Sequence, residues 1–260
     1  MPTLSHSILP ALCLSATLLA GTDCKPNAPC YSTEGIVNAA SNLAGPLAPF
    51  TWVSIYGTAL SYNTRNRTSE DVLPGFGGVN VLVNTKFALI SYVSPLQINF
   101  LLPYTPNTKA VIIQVVREAM AGPPVTIPLA DCSPALFLKE AGVAVAAHSV
   151  DWTVVTPQTP ARAGELIILY ATGLGPYVQP LNDTQIPETA DPIRRRSEFA
   201  ILLDDKPVDD RLIEYAGAAP LFIGVYQINL RLPSKIGTNP EIRIALGESS
   251  SPTGIRLTAH

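Results

Sequence analysis

The sequence predicts an all-β protein made of two β-sandwiches in tandem, and three observations carry that reading. The first is an internal duplication. Gln97-Ile-Asn-Phe-Leu-Leu-Pro103 recurs 130 residues later as Gln227-Ile-Asn-Leu-Arg-Leu-Pro233. Upstream, Val53-Ser-Ile-Tyr-Gly-Thr-Ala-Leu60 is matched by Ile167-Ile-Leu-Tyr-Ala-Thr-Gly-Leu174. Such a period is too long for a solenoid and suits a duplicated domain of about 100 residues plus a connection. The second is that apolar residues come in short β-branched runs, with turn residues at the roughly 8- to 12-residue spacing of sandwich strands. The third is proline: 25 of 260 residues, about twice the usual share, which is incompatible with long helices.

The elements follow in order. Ile8–Ala20 is an apolar run of 13 residues, too short to span a bilayer and suited to the apolar stretch of a signal peptide. Small residues after it place cleavage near Ala20 or Gly21, so residues 1–21 are expected to be a signal peptide and 22–34 an N-terminal segment. The first sandwich is expected over 35–130. In it Val79–Val83 and Phe87–Val93 flank a turn at Asn84-Thr-Lys, and Val111–Val116 is a later strand. Residues 131–160 are expected to form an ordered linker with one or two short strands. The second sandwich is expected over 161–260. There Phe199–Leu203 and Val208–Tyr215 flank Asp204-Asp-Lys-Pro207, and Ile242–Leu246 follows.

Composition excludes several function classes. Charged residues make up 14% of the chain and hydrophobic residues 47%, the opposite of a disordered protein. A net charge of -3 is not that of a general nucleic-acid binder. After the leader, no segment reaches the roughly 18 apolar residues of a membrane span. Charge is unequally shared, with 9 charged residues in 31–130 and 26 in 131–260.

An ordered set of motifs goes further. It comprises Gly35-Ile-Val-Asn-Ala-Ala-Ser41, Gly45-Pro-Leu-Ala-Pro49, Ser54-Ile-Tyr-Gly57 and Tyr92-Val-Ser-Pro-Leu-Gln-Ile-Asn99. It continues with Pro160-Ala-Arg-Ala-Gly-Glu165, Leu169-Tyr-Ala-Thr-Gly-Leu-Gly175 and Val225-Tyr-Gln-Ile-Asn229. In this order, over residues 35 to 258, they resemble the uncharacterised C-terminal module of exported acidobacterial (Solibacter-type) proteins. Each half is also similar to IPT/TIG immunoglobulin-like domains. The resemblance implies two tandem immunoglobulin-like β-sandwiches and brings no catalytic residue, ligand or cofactor. One position departs from it: Ala171 stands where the pattern has glycine, at the place of Gly57 in the first copy.

The chemistry of the side chains defines the candidate sites. The histidines are His6, His148 and His260. A Ser-His-Asp triad would have to use His148, a Cys132–His148 pair has no supporting motif, and no Gly-x-Ser-x-Gly elbow occurs. Asp204, Asp205, Asp209 and Asp210 form the best metal candidate, since calcium takes several oxygen ligands from one loop. Their spacing is not that of an EF-hand, and the duplication makes them a hairpin turn. Arg194–Arg196 is too short a basic run for nucleic acid. In a strand, residues i and i+2 project together. Gln97 with Asn99, and Gln227 with Asn229, therefore each present two amides that either bind a sugar or satisfy nearby backbone. Cys24 and Cys30 could close a small disulfide loop, leaving Cys132 unpaired, or Cys132 could pair with one of them.

The resulting expectation is a non-enzymatic exported or cell-surface module for adhesion, surface assembly or protein contact, without cofactor. Its partner is an unknown protein or polysaccharide at the cell surface. The alternatives are a polysaccharide-binding module and a hydrolase that uses carboxylates on a β scaffold.

Overall fold

The computed structural model describes residues 24–68, 75–140, 142–179 and 185–260. The expected signal peptide, residues 1–21, lies outside them. In the first half the strands are β1 (Cys30–Asn38), β2 (Trp52–Thr58), β3 (Arg65–Asn66), β4 (Val79–Val83), β5 (Lys86–Phe87), β6 (Leu89–Val93), β7 (Gln97–Leu101), β8 (Ala110–Arg117), β9 (Met120–Ala121) and β10 (Val125–Pro128). They form one sheet of order β1-β2-β7-β6-β3 and a second of order β10-β8-β4-β5, with β9 on β8. Read by position, these are the A-B-E-D and G-F-C sheets of an immunoglobulin-type sandwich.

The second half repeats the plan. Its strands are β11 (Ala135–Leu136), β12 (Leu138–Glu140), β13 (Val143–Ala144), β14 (Ala146–His148), β15 (Leu166–Thr172), β16 (Phe199–Leu203), β17 (Lys206–Pro207), β18 (Ile213–Ala218), β19 (Tyr226–Arg231), β20 (Ile242–Leu246) and β21 (Ser249–Ser250). Here β11-β15-β19-β18 face β17-β16-β20-β21, with β14 also on β15. The chain is thus all-β, two tandem immunoglobulin-like sandwiches, and the helices among the described residues are two single 3-10 turns.

Alternation of the side chains explains each sheet. β4 and β20 bury every second residue, as a strand with one face on a core must. Val53, Ile55, Val81, Ile90, Phe100 and Ile113 meet in the first core. Ile167, Leu169, Ile201, Ile228, Leu230 and Ile244 meet in the second. Both expected hairpins form at matching places, Val83 opposite Lys86 and Leu203 opposite Lys206.

Two sequence expectations need correction. Phe87–Val93 is not one strand. It breaks at buried Ala88, with β5 in one sheet and β6 in the other. Likewise Val208–Tyr215 is not a hairpin arm. After β17 a 3-10 turn at Asp210–Leu212 carries the chain across to β18 in the opposite sheet. Residues 131–160 hold β11–β14, and Leu136, Ala144, Ala146 and Val155 lie in the second core.

Candidate functional site

The duplicated amides stand on the outer faces of the two equivalent sheets. In the first copy Tyr56 on β2 lies opposite Gln97 on β7, and Tyr92 on β6 lies opposite Asn99. In the second copy Tyr170 on β15 lies opposite Gln227 on β19, and Tyr215 on β18 lies opposite Asn229. A bulge falls at the same place in both, between Ile90 and Tyr92 and between Ile213 and Tyr215. It brings each tyrosine into register with its asparagine. The four tyrosines and both glutamines are half-buried.

The amides do not turn to loop backbone. Gln97 Nε2 donates to Asn99 Oδ1 at 2.9 Å, and Gln227 Nε2 donates to Asn229 Oδ1 at 2.8 Å. In the first copy Ser54 Oγ also donates to Asn99 Oδ1; the second has Ile168 at that register position, opposite Asn229. The alternate residues Ile98, Phe100, Ile228 and Leu230 are fully buried, as the strand period requires. Burial raises the hydroxyl pKa of Tyr56, Tyr170 and Tyr215, the last to about 12. The Tyr215 hydroxyl donates to the Ala218 carbonyl at 2.8 Å. It lies across Gly217, where a Cβ would come within 2.4 Å of it.

A second feature joins the copies. Phe50, from the first half, is buried in the second core. It stacks on Tyr104 at 5.9 Å and packs against Tyr177 at 5.7 Å. The Trp52 backbone N–H donates to Thr172 Oγ1 at 3.0 Å, and its indole N–H donates to the Ile223 carbonyl at 2.9 Å. Asn38 Nδ2 donates to the Ser133 carbonyl. At Gly224, held at φ +68, a Cβ would stand 2.2 Å from Leu101 Cδ1. The register positions of Trp52 and Leu101 in the first copy belong to Leu166 and Arg231 in the second. Arg231 is exposed there and paired with Glu214 at 2.7 Å.

The four aspartates are each otherwise engaged. Asp204 and Asp205 both adopt left-handed backbone, φ 47 and 62, as the two central residues of a type I′ hairpin turn must. Asp204 accepts from the Glu241 N–H, and Asp205 pairs with Arg243. Asp209 pairs with Arg211, whose guanidinium holds the carboxyl at about 2. Asp210 pairs with Arg196 at 2.8 Å. Among the described residues no group of three or more His, Cys, Asp or Glu is placed to hold a metal ion.

Cys24 and Cys30 form a disulfide, Cα–Cα 5.4 Å, and Cys132 is a buried free thiol. Gly57 is needed beside it, because a Cβ there would stand 2.2 Å from the Cys30 carbonyl. Ala171, its counterpart, lies opposite Leu136 and Tyr226, inside the second core.

His148 is not part of a nucleophilic triad. Its Nδ1 bonds Glu165 Oε1 and its Nε2 bonds the Thr159 carbonyl. Sequence reading passed over Glu165, which is brought to His148 by the pairing of β14 with β15. It also gave Trp152 no role. That residue is exposed at φ 62 beside Val150, in a turn closed by its N–H to the His148 carbonyl.

The chain matches no family profile and no curated protein. Its fold is similar in part to solved structures. One is a surface glycan-binding protein, PbSGBP-B from Prevotella bryantii, at 12% identity and TM-score 0.27, over 85% of this chain and 40% of that one. Another is the I9–I11 tandem of titin, at 10% identity and TM-score 0.25, over 83% and 61%. A third is domains 5–6 of the S-layer protein SbsC, at 9% identity and TM-score 0.31, over 89% and 98%. The chain therefore spans less than two thirds of the length of the first two.

Proposed function

We propose that this chain is a non-enzymatic exported or cell-surface module that presents two rigidly joined sandwiches for contact with other surface molecules. The observation that carries the reading is the junction. Phe50 is shared with the second core, and Trp52 is hydrogen-bonded through both backbone and indole. A linkage of this kind fixes the relation of the outer faces, as a presenting scaffold requires. The Cys24–Cys30 disulfide fits an oxidising compartment, in line with the apolar leader. The outer sheet edges favour contact by faces over contact by strand addition. β1 is interrupted by a bulge, β6 is covered by β3, and residues Pro192 and Ile193 lie against β18.

The test is to express the full chain with its leader and follow it by fractionation and by protease access to intact cells. The reading expects recovery outside the cytoplasm, an oxidised Cys24–Cys30 pair and retention on cell-surface material that is left chemically unchanged. Cytoplasmic retention with reduced cysteines, or turnover of that material, would overturn it.

A second reading, polysaccharide binding, is favoured by one observation. Each glutamine is half-exposed and bonded to its asparagine, with Asn99 buried and Asn229 half-buried, and each amide pair is flanked by two half-exposed tyrosines in the same register in both copies.

A further inference from the structure

We propose that the two outer faces are twin subsites for a single uncharged polysaccharide chain, one stretch of the polymer lying on Tyr56, Gln97 and Tyr92 and a second on Tyr170, Gln227 and Tyr215. This rests on the polysaccharide reading and names its ligand class and valency.

The chemistry of the faces selects the occupant. A pyranose ring offers an apolar C–H face and a rim of hydroxyls. A tyrosine offers an apolar ring with a polar tip, and an amide offers donors and an acceptor together. The bond from each glutamine to its asparagine uses one of the two Nε2 hydrogens. It thereby fixes the amide plane and leaves the second hydrogen and Oε1 in defined directions. At Tyr215 the phenol tip lies over Gly217, where a Cβ would collide with its hydroxyl at 2.4 Å and with the Asp191 carbonyl at 2.3 Å.

Charge narrows the class. Ser54, Tyr56, Tyr92, Gln97 and Asn99 on the first face carry none. On the second face the nearby Arg231 and Glu214 are paired with each other at 2.7 Å. Neither face has an unopposed cation among these residues to attract an acidic polymer, and both suit a neutral one.

Duplication argues for one long ligand. Trp52, at the start of β2, bonds Thr172, at the end of β15. Tyr56 is four positions along the strand from Trp52, and Tyr170 is two positions from Thr172. At the rise of a strand the two tyrosines are therefore within about 30 Å of one another. The second subsite then engages a chain already held by the first, which raises affinity by about a hundredfold or more without a new contact.

Affinity electrophoresis of the full chain tests this. The probes are soluble neutral polysaccharides (hydroxyethylcellulose, galactomannan, xylan), the acidic polymers alginate and polygalacturonate, and cellobiose as a short competitor. The expected result is retardation by at least one neutral polymer, with little competition from the disaccharide. Gln97→Ala or Gln227→Ala alone should weaken retention about tenfold, and the double substitution by about a hundredfold or more. Tyr56→Phe and Tyr170→Phe, which keep the ring, should retain binding. Thermal unfolding of each variant separates lost binding from lost fold. No retardation by any neutral polymer, retardation by acidic polymers alone, or full retention by a folded double variant would each overturn the proposal. If those results came from a protein still exported and cell-bound, the contact-module reading would stand and only this inference would fall.

Discussion

The indole N–H of Trp52 reaches across the junction to the carbonyl of Ile223, 2.9 Å away and 171 residues further along the chain. Beside it, Gly224 leaves room for Leu101, which is almost fully buried and cannot swing aside. The junction is therefore expected to fail in two separable ways. Trp52→Phe removes the donor of this part-buried bond and costs about 1 kcal/mol, the usual net contribution of a hydrogen bond. Gly224→Ala adds a left-handed alanine, about 1–2 kcal/mol, and a collision with Leu101. In calorimetry the parent should unfold in one transition and Gly224→Ala in two, with the sandwiches released from each other. A single unshifted transition would show that the contact does not couple them.

Tyr31 ties the first strand to the far sheet. Its hydroxyl donates to the Pro123 carbonyl and accepts from the Val115 N–H, both at 2.7 Å. Tyr31→Phe leaves a buried N–H without its partner, and the expected loss is about 1–3 kcal/mol by denaturant unfolding. Burial pushes this hydroxyl up to about 12 and that of Tyr226 well above the usual 10. Both are protonated in either state below pH 10, where their contribution is complete. Between pH 10 and 12 the unfolded chain ionises first, so stability should fall over that window. Tyr31→Phe should make the fall shallower.

Much of this fold is legible in the sequence because the two copies test one another. Gln-Ile-Asn places its amides outward and Ile98 and Ile228 inward by the strand period alone, and the turns at Asn84 and Asp204 announce the hairpins. The crossings at Ala88 and after Pro207 are not legible. A chain that changes sheets keeps its β-branched composition and gives no local sign of a new partner. The tyrosine facing Asn229 was also out of reach, since the bulge before Tyr215 shifts its register by one residue, and only the pairing reveals it. The junction depends on contacts 95 to 171 residues apart, between Asn38 or Trp52 and residues beyond 130, which no motif encodes.

The Cys24–Cys30 disulfide closes a short loop ahead of β1. On the chain-entropy account so small a loop contributes only about 2 kcal/mol. Replacing both cysteines by serine should lower stability by no more than this, and the protein should still fold. Cys132, buried at 4% exposure, should resist thiol reagents in the native protein and react once denaturant unfolds it. Fast native labelling at Cys132 would contradict its place in the second core.

His148 supplies a pH dependence nearer neutrality. The hydrogen bond to Glu165 raises its pKa above the usual 6.5, with smaller help from the Thr159 carbonyl and from the charges of Glu165 and Asp151. Glu165 Oε2 also accepts from the Arg162 N–H at 2.8 Å, so the carboxylate is held in place from two sides. A group whose pKa is raised by folding contributes fully below its unfolded pKa, here about 6.5, and loses that contribution as pH rises through the folded value. The protein should therefore be more stable near pH 6 than above the folded pKa of His148. His148→Gln, which cannot gain the proton, should flatten this part of the profile, and Glu165→Gln should do the same. The measurement is the denaturation midpoint across pH 5 to 9. A parent slope that both variants keep would place its origin in other groups.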